Sequence, residues 1–87
     1  MSPRSRGPLK KLHSADQRTF CAVMRETRTN AGLTQHDLAK RLKRPQSFVA
    51  KVEGGERRLD VLEFLDVVDA IGADPVRTLR TLLKRLA

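Results

Sequence analysis

The segment QSFVAKVE, residues 46–53, carries polar side chains at the spacing of one helix face. If the segment is helical, Gln46, Ser47 and Lys51 lie on one side with a small alanine, and two valines lie on the other. A glutamine amide can form paired hydrogen bonds with adenine, and a lysine can donate to guanine. No acidic residue precedes Glu53 within the segment, so the polar side does not repel phosphate. The segment is therefore a candidate for reading the edges of DNA bases.

Residues that serve in catalysis or metal binding are few and scattered. His13 and His36 lie far apart in the sequence, and with Cys21 they provide none of the usual metal-ligand spacings. The pair Gly54-Gly55 is typical of a helix stop rather than of a glycine-rich phosphate loop. We therefore predict that the chain is not an enzyme and that it has no catalytic residues, no metal site and no cofactor.

Helix-capping and helix-ending residues divide the chain from residue 14 onward into five short helices. Ser14 with Gln17, and Asp60 with Glu63, form capping-box patterns, and Pro45 suits the first position of a helix. No segment alternates as a strand between hairpin turns, which predicts an all-α bundle. The predicted helices begin near Ala15, Gln35, Pro45, Val61 and Pro75.

In the fourth predicted helix, apolar residues recur at three-residue intervals. We expect Leu62, Leu65 and Val68 to face inward. Three acids at the same spacing are expected to form the opposite, solvated face: Glu63, Asp66 and Asp69. The pattern thus predicts that the leucines pack in the core and that the acids face solvent.

Composition and charge narrow the class of protein. The chain has 87 residues, 39% of them hydrophobic, with a formal charge of +8 and a single cysteine, Cys21. It can form one small core and no internal disulfide, which fits a reducing cytosol. No apolar run reaches the roughly 18–20 residues that cross a bilayer. Clustered cations at this charge fit a nucleic-acid partner, although a membrane surface or an acidic protein would satisfy charge alone.

The chain divides into two predicted segments. Residues 1–13 contain four cations and no acid, with prolines and a glycine that oppose helix formation, so we interpret them as a flexible basic arm. Residues 14–87 contain all the helix signals and are predicted to form one folded domain.

The second and third predicted helices are separated only by Lys43-Arg44, which is the helix-turn-helix arrangement. The stretch LTQHDLAKRLKRPQSFVAKVEGGERRLDVLEFLDVVDAIGADP resembles the Cro/phage-repressor type of domain, the XRE family, and the likeness covers about residues 14–75. The resemblance implies a five-helix, lambda-repressor-like fold. It also implies sequence-specific binding of double-stranded DNA through the third helix.

The resemblance implies three sets of functional residues. The positions that reach base edges are Gln46, Ser47 and Lys51. The positions that hold backbone phosphates are Gln35, Arg57 and Arg58. The positions of a structural ion pair, between the first helix and the end of the third, are Arg28 and Glu53.

Two residues depart from the pattern of the family. Lys43 occupies the turn position that is usually glycine. Because a lysine with positive φ is costly, we expect a turn that is tighter, strained or rearranged. Arg44 precedes Pro45 where the family usually has a serine or threonine cap. Because this change adds a cation beside the third helix, Arg44 is a further candidate for holding phosphate.

The fifth predicted helix carries more leucine than a four-helix core needs. Val76, Leu79, Leu83 and Leu86 recur at three- and four-residue intervals. We predict that residues 76–87 form the interface of a two-fold symmetric homodimer, with simple core packing as the alternative. In such a dimer the two DNA-reading helices would lie about 34–36 Å apart, one turn of DNA.

The resemblance and the charge together predict a transcriptional regulator that binds a palindromic operator as a dimer. We expect a repressor, since no sensor or activation domain is evident. The resemblance implies a cytoplasmic protein of a prokaryotic cell or a phage-encoded one. Two alternatives remain open: an antitoxin-type component that binds a toxin protein and controls its own operon, and an RNA-binding protein. The lack of Trp and Tyr for base stacking disfavours RNA.

Overall fold

The computed structural model describes residues 14–86, which form five α-helices joined by short turns. The helices are α1 (Ala15–Asn30), α2 (Gln35–Leu42), α3 (Gln46–Glu53), α4 (Val61–Ile71) and α5 (Pro75–Leu86). The predicted all-α, five-helix fold is therefore confirmed. The predicted basic arm, residues 1–13, and the last residue of the predicted dimerisation segment lie outside the described residues. Within residues 14–86, no helix is both long enough and apolar enough to span a membrane.

Side-chain caps fix the beginnings of the helices. Asp60 and Glu63 form the predicted capping box at α4, and the Ser14 hydroxyl accepts a hydrogen bond from the Gln17 N–H at 3.1 Å. The start of α3 differs from the prediction. Pro45 is its N-cap residue and not its first helical residue, because its ψ of 151° is extended. Proline offers no side-chain oxygen, so α3 begins without a side-chain cap.

The hydrophobic core lies among the first four helices. Both α2 and α3 have eight residues, which is too short for a stable isolated helix, so packing must hold them in place. The buried residues of the core cluster come from α1, α2, α3 and α4: Met24, Leu38, Ala39, Val49, Val67, Val68 and Ile71. The fifth helix packs mainly against α1, outside this cluster.

The buried face of α4 is only partly the predicted one, since Val68 is buried as predicted but Leu62 and Leu65 are exposed. Leu62 is 72% exposed and Leu65 is 41% exposed, whereas Val67, Val68 and Ile71 are buried. The helix is apolar on more than one side, so a three-residue spacing selects more than one stripe. The buried residues lie on the side of α4 that packs against α2, and this packing leaves the two leucines in solvent.

The turn between α2 and α3 has the geometry expected for a glycine but contains a lysine. Lys43 adopts the left-handed conformation, with φ 58° and ψ 42°, which is the strained alternative among those predicted for this turn. The turn is closed by backbone hydrogen bonds from the Lys43 N–H to the Lys40 carbonyl at 3.1 Å and from the Arg44 N–H to the Ala39 carbonyl at 3.0 Å. These bonds fix the conformation of the turn that joins α2 to α3.

Candidate nucleic-acid interface

The polar side of α3 faces solvent because its apolar side is fixed in the core. Val49 and Val52 are 3% and 4% exposed. The three residues predicted to read bases, Gln46, Ser47 and Lys51, are all exposed. Since α3 contains no acid before its last residue, this accessible side offers amide, hydroxyl and ammonium groups and no opposing charge.

Glu53, the last residue of α3, is buried and connects α3 to α1. Arg28 of α1 donates from Nε to Glu53 Oε2 at 2.6 Å and from Nη2 to Glu53 Oε1 at 2.9 Å. The third guanidinium nitrogen of Arg28 donates to the Leu33 carbonyl at 2.8 Å. Arg25 Nε lies 3.5 Å from Glu53 Oε1. These bonds satisfy two buried charges and hold the end of α3 against α1.

Gln35, the first residue of α2, also binds Glu53. Its Nε2 donates to Glu53 Oε1 at 3.0 Å. The bond uses one of the two amide hydrogens of Gln35, and the side chain is half-buried. The second amide hydrogen lies at the N-terminus of α2, where backbone N–H groups favour an anion. The structure thus brings Gln35 beside the end of α3 and orients it through Glu53.

The same contacts lower the pKa of Glu53. Burial alone would raise the pKa of this carboxyl group, but the hydrogen bonds from Arg28 and Gln35 and the charges of Arg28 and Arg25 outweigh burial. The net direction is downward, so Glu53 is ionised at neutral pH.

Arg44 and Arg57, which precede and follow α3 in the sequence, meet at Phe48. The guanidinium carbon lies 4.4 Å from the Phe48 ring centroid for Arg44 and 5.2 Å for Arg57. Arg57 donates two hydrogen bonds to Glu63 of α4, from Nη1 to Oε1 at 2.9 Å and from Nη2 to Oε2 at 2.6 Å. Arg44 Nη2 lies 3.9 Å from Glu63 Oε2. We refer to these four residues as the Phe48 cluster.

The Phe48 cluster corrects the prediction for Glu63. Glu63 is not part of a solvated face, because Arg57 and the Asp60 backbone bind it and lower its pKa to about 2. The other two acids of α4, Asp66 and Asp69, are exposed as expected. Phe48 and Glu63 were not predicted as members of the site. The four-residue spacing from Arg44 to Phe48 was a local signal for Phe48, and no local signal pointed to Glu63.

The residues predicted to hold phosphates thus fall into two groups. Arg44 and Arg57 are brought together at Phe48, with side chains 46% and 38% exposed. Gln35 lies at the Glu53 network instead. Arg58 is half-buried, and its backbone carbonyl accepts a hydrogen bond from Arg57 Nη1. Both groups contact α3, but at different residues: Arg44 and Arg57 contact Phe48, and Gln35 binds Glu53.

The single thiol and the acids form no separate reactive centre in the described part of the chain. Cys21 is buried, its Sγ donates to the Val52 carbonyl at 3.3 Å, and burial raises the pKa of its thiol. Among residues 14–86, no group of three or more His, Cys, Asp or Glu side chains is placed to hold a metal ion.

Large apolar side chains are exposed on α4 and α5. Three of the four residues predicted to form a dimer interface are accessible: Val76 is 57% exposed, Leu79 44% and Leu83 53%. Leu86 is half-buried. Within residues 14–86, the exposed large apolar residues, which we call the exposed apolar set, are Val61, Leu62, Leu65, Val76, Leu79 and Leu83.

Known proteins with this arrangement are helix-turn-helix proteins. A family model described as a helix-turn-helix domain matches residues 20–83. An XRE-family-like protein from Pseudomonas syringae pv. tomato is 46% identical, with 87% of this chain and 93% of that chain covered and a TM-score of 0.77. The restriction-modification controller protein C.AhdI from Aeromonas hydrophila is 32% identical, with 75% and 98% covered and a TM-score of 0.67. No curated protein sequence shows a significant match to the chain.

A more distant structure shares the fold. It is another restriction-modification controller protein, solved as a tetramer in complex with its natural 35 base-pair operator, and it is 21% identical with a TM-score of 0.75. The alignment covers 83% of this chain and 95% of that one. With the family model matching most of the chain and a relative at 46% identity, this chain belongs to the XRE family of helix-turn-helix DNA-binding regulators.

Proposed function

We propose that this chain is a sequence-specific regulator of transcription that binds double-stranded DNA with α3 in the major groove. The observation that carries the proposal is the orientation of α3. Its valines are buried, whereas Gln46, Ser47 and Lys51 are exposed together on one side. Base edges in the major groove present donor and acceptor patterns that such amide, hydroxyl and ammonium groups can read. Arg44, Arg57, Arg58 and Gln35 are the proposed contacts to backbone phosphates.

We further propose that the regulator acts as a dimeric repressor on a palindromic operator. The exposed apolar set supports a second copy of the chain as partner, because six large apolar side chains on two neighbouring helices are costly to leave in water. Restriction-modification controllers with this fold include one that binds its operator as a tetramer, which supports an oligomeric assembly on DNA. No observation favours the toxin-binding alternative. The proposed location is the cytoplasm, and the proposed role involves no catalysis.

The first test is the selection of bound sites from a random-sequence DNA library at near-physiological salt. A selected site with two-fold symmetry and half-sites about one helical turn apart would support the proposal. Gln46→Ala should then weaken binding to the selected site by about 1–3 kcal/mol and change binding to mixed-sequence DNA much less, because only the selected site offers the matching base edge. Affinities are measured by fluorescence anisotropy.

Thr29→Ala is the matched control for Gln46→Ala. Thr29 is an exposed polar residue in the last turn of α1 and is not among the proposed DNA contacts, so its replacement by alanine should leave both affinities unchanged. Equal losses on the selected site and on mixed-sequence DNA would exclude Gln46 from base reading. A library that yields no enriched site would contradict sequence-specific binding itself.

A further inference from the structure

Arg57 is held on several sides before any ligand binds. Its guanidinium has five N–H groups. Nη1 donates to Glu63 Oε1 at 2.9 Å and to the Arg58 carbonyl, and Nη2 donates to Glu63 Oε2 at 2.6 Å. The Phe48 ring lies 5.2 Å from the guanidinium carbon. Three of the five N–H groups are therefore committed within the protein, and the far end of the guanidinium is bound by Glu63.

One edge of the Arg57 guanidinium makes no hydrogen bond to any residue in the described range 14–86. This edge consists of the Nε–H and the second Nη2–H. Because the guanidinium is planar, these two N–H groups are parallel, and their spacing fits two oxygens of a phosphate. The side chain of Arg57 is 38% exposed. A phosphate can therefore bind this edge while Glu63 keeps its own two hydrogen bonds.

Glu63 is itself firmly placed, which makes it a suitable anchor. Its Oε1 accepts the Asp60 N–H at 3.1 Å, and its own N–H donates to Asp60 Oδ1 at 2.7 Å, so the side chain is fixed at the start of α4. Arg57 and the Asp60 backbone lower the pKa of Glu63 to about 2, and the carboxylate remains charged across the pH range in which DNA binding is measured. Its position therefore does not depend on pH under those conditions.

We propose that Glu63 is a positioning residue for DNA binding: it orders Arg57 so that the open edge of the guanidinium meets a backbone phosphate beside α3. The inference rests on the proposed DNA binding. A free arginine side chain loses conformational entropy when a ligand immobilises it, and this loss lowers the affinity. If Arg57 is ordered before binding, the loss is smaller and the affinity is higher. Repulsion between the carboxylate and the phosphate opposes this gain. That repulsion is weakened because two guanidiniums, Arg57 and Arg44, surround the single carboxylate.

The substitution Glu63→Gln tests the proposal. Glutamine keeps the side-chain length and can still cap the Asp60 N–H, but it has one acceptor oxygen and no charge. We expect the affinity for a mixed-sequence DNA duplex of about two helical turns to fall about two- to tenfold, although the variant protein is more positive. In a salt series, the slope of log affinity against log salt concentration should also fall, by up to about 0.9, since one phosphate contact is weakened.

Asp69→Asn provides the charge-matched control. Asp69 is exposed on the same helix, and its substitution changes the net charge equally without touching the Phe48 cluster. This control should bind DNA as tightly as the wild-type chain or slightly more tightly. If Glu63→Gln binds as tightly as Asp69→Asn, Glu63 does not position Arg57 and the inference is wrong, while the proposed function stands. A folded wild-type chain that binds no duplex would overturn both.

A double-mutant cycle separates positioning from a general structural role. If Glu63 acts through Arg57, then adding Glu63→Gln to Arg57→Ala should change affinity much less than Glu63→Gln does alone. Thermal denaturation verifies that each variant is folded at the temperature of the binding assay. An equally large additional loss in the Arg57→Ala background would show that Glu63 acts independently of Arg57, and would overturn the inference.

Discussion

Glu53 is a single buried residue on which three parts of the site depend. It anchors the end of α3, pairs with the buried Arg28 of α1 and orients the amide of Gln35 at the start of α2. A buried ion pair adds little stability relative to apolar packing, but breaking it is costly, because the remaining partner keeps an unpaired charge. The pair therefore serves mainly to fix the orientation of α3 relative to α1 and α2.

Acidification should destabilise the fold through Glu53. The pKa of Glu53 in the folded chain lies below the ordinary value of 4.5, so the unfolded chain takes up a proton first as the pH falls. The contribution of Glu53 is thus complete above its ordinary pKa and is lost as the pH falls through its lowered folded value. We expect the free energy of unfolding of the wild-type chain to drop more between about pH 5 and pH 3 than that of Glu53→Gln.

Urea denaturation across this pH range measures the difference. Other carboxylates are common to both chains and cancel in the comparison. At neutral pH, Glu53→Gln should be less stable than the wild-type chain by about 3 kcal/mol, since Arg28 is left buried without its counterion. Parallel pH profiles for the two proteins would contradict the role assigned to the Glu53 carboxylate.

At the residue scale, local patterns predicted the exposed side chains of α3, and the family resemblance predicted the pair of Arg28 and Glu53 between α1 and α3. Neither predicted the side chains that meet at Phe48. The polar side of α3 was predicted from the spacing of polar residues within this one segment, and those residues are exposed in the structure. Phe48 and Glu63 could not be assigned to the site, because Arg44 and Arg57 join them only when α4 is rotated so that Glu63 faces these arginines. That rotation is set by the packing of Val67 and Val68, which no local pattern specifies.

At the scale of elements, the turn between α2 and α3 combines a strained residue with a fixed geometry. A side chain in the left-handed region costs about 1–2 kcal/mol relative to the right-handed helix, and Lys43 bears this cost where a glycine would not. The turn nonetheless keeps both closing hydrogen bonds. The strain is therefore compensated by the packing of the two helices that the turn joins.

Replacing Lys43 by glycine should stabilise the chain. The glycine relieves the left-handed strain but gains freedom in the unfolded state, so we expect a net increase of about 0.5–1 kcal/mol in the free energy of unfolding. Urea denaturation measures this change in the free energy of unfolding. Lys43→Ala removes the same lysine side chain and keeps a Cβ in the strained conformation. If Lys43→Gly is no more stable than Lys43→Ala, the left-handed conformation is not a significant source of strain.

Helix ends were predicted better than helix faces. Capping residues act within four positions of the chain, so Asp60 and Glu63 mark the start of α4 wherever it packs. The face of α4 was predicted only in part, because Leu62 and Leu65 offer an apolar stripe that is as regular as the buried one. Which of two such stripes is buried depends on how the other helices are arranged, and the spacing of residues within one helix does not determine that arrangement.

At the scale of the whole molecule, α5 lies outside the main core but is attached to α1. Arg85 donates two hydrogen bonds to Glu26 of α1, at 2.9 and 2.5 Å, and Thr78 is the one residue of α5 that is buried in the described chain. Leu79 and Leu83 of α5 remain exposed in this arrangement, as does Val76. Together with the exposed leucines of α4, they give the monomer an apolar area that a symmetric partner can cover.

Leu83→Asp should convert a dimer into a monomer that remains folded. Leu83 is 53% exposed in the single chain, so a charge there costs the isolated fold little but would be buried in the proposed interface. Sedimentation velocity should show the mass of one chain for the variant and of two chains for the wild-type protein. Binding to the palindromic site should weaken in parallel, because each monomer reads one half-site.

Lys84→Asp is the companion variant, since it introduces the same side chain at the next exposed position, on a different side of α5. It should leave the sedimentation of the protein unchanged. A wild-type chain that sediments as a monomer at concentrations well above its DNA affinity would contradict the dimer. A dimeric Leu83→Asp variant would place the interface elsewhere.

In α3, the residues that hold the helix in place differ from the residues that it exposes, and this has a consequence for how such proteins evolve. The helix is anchored by Val49, Val52 and Glu53, together with the half-buried Phe48, whereas Gln46, Ser47 and Lys51 are exposed. Substitutions at Gln46, Ser47 and Lys51 therefore carry almost no folding penalty. Under the proposed role of α3, an exchange of a few outward side chains would change the target sequence and leave the fold intact.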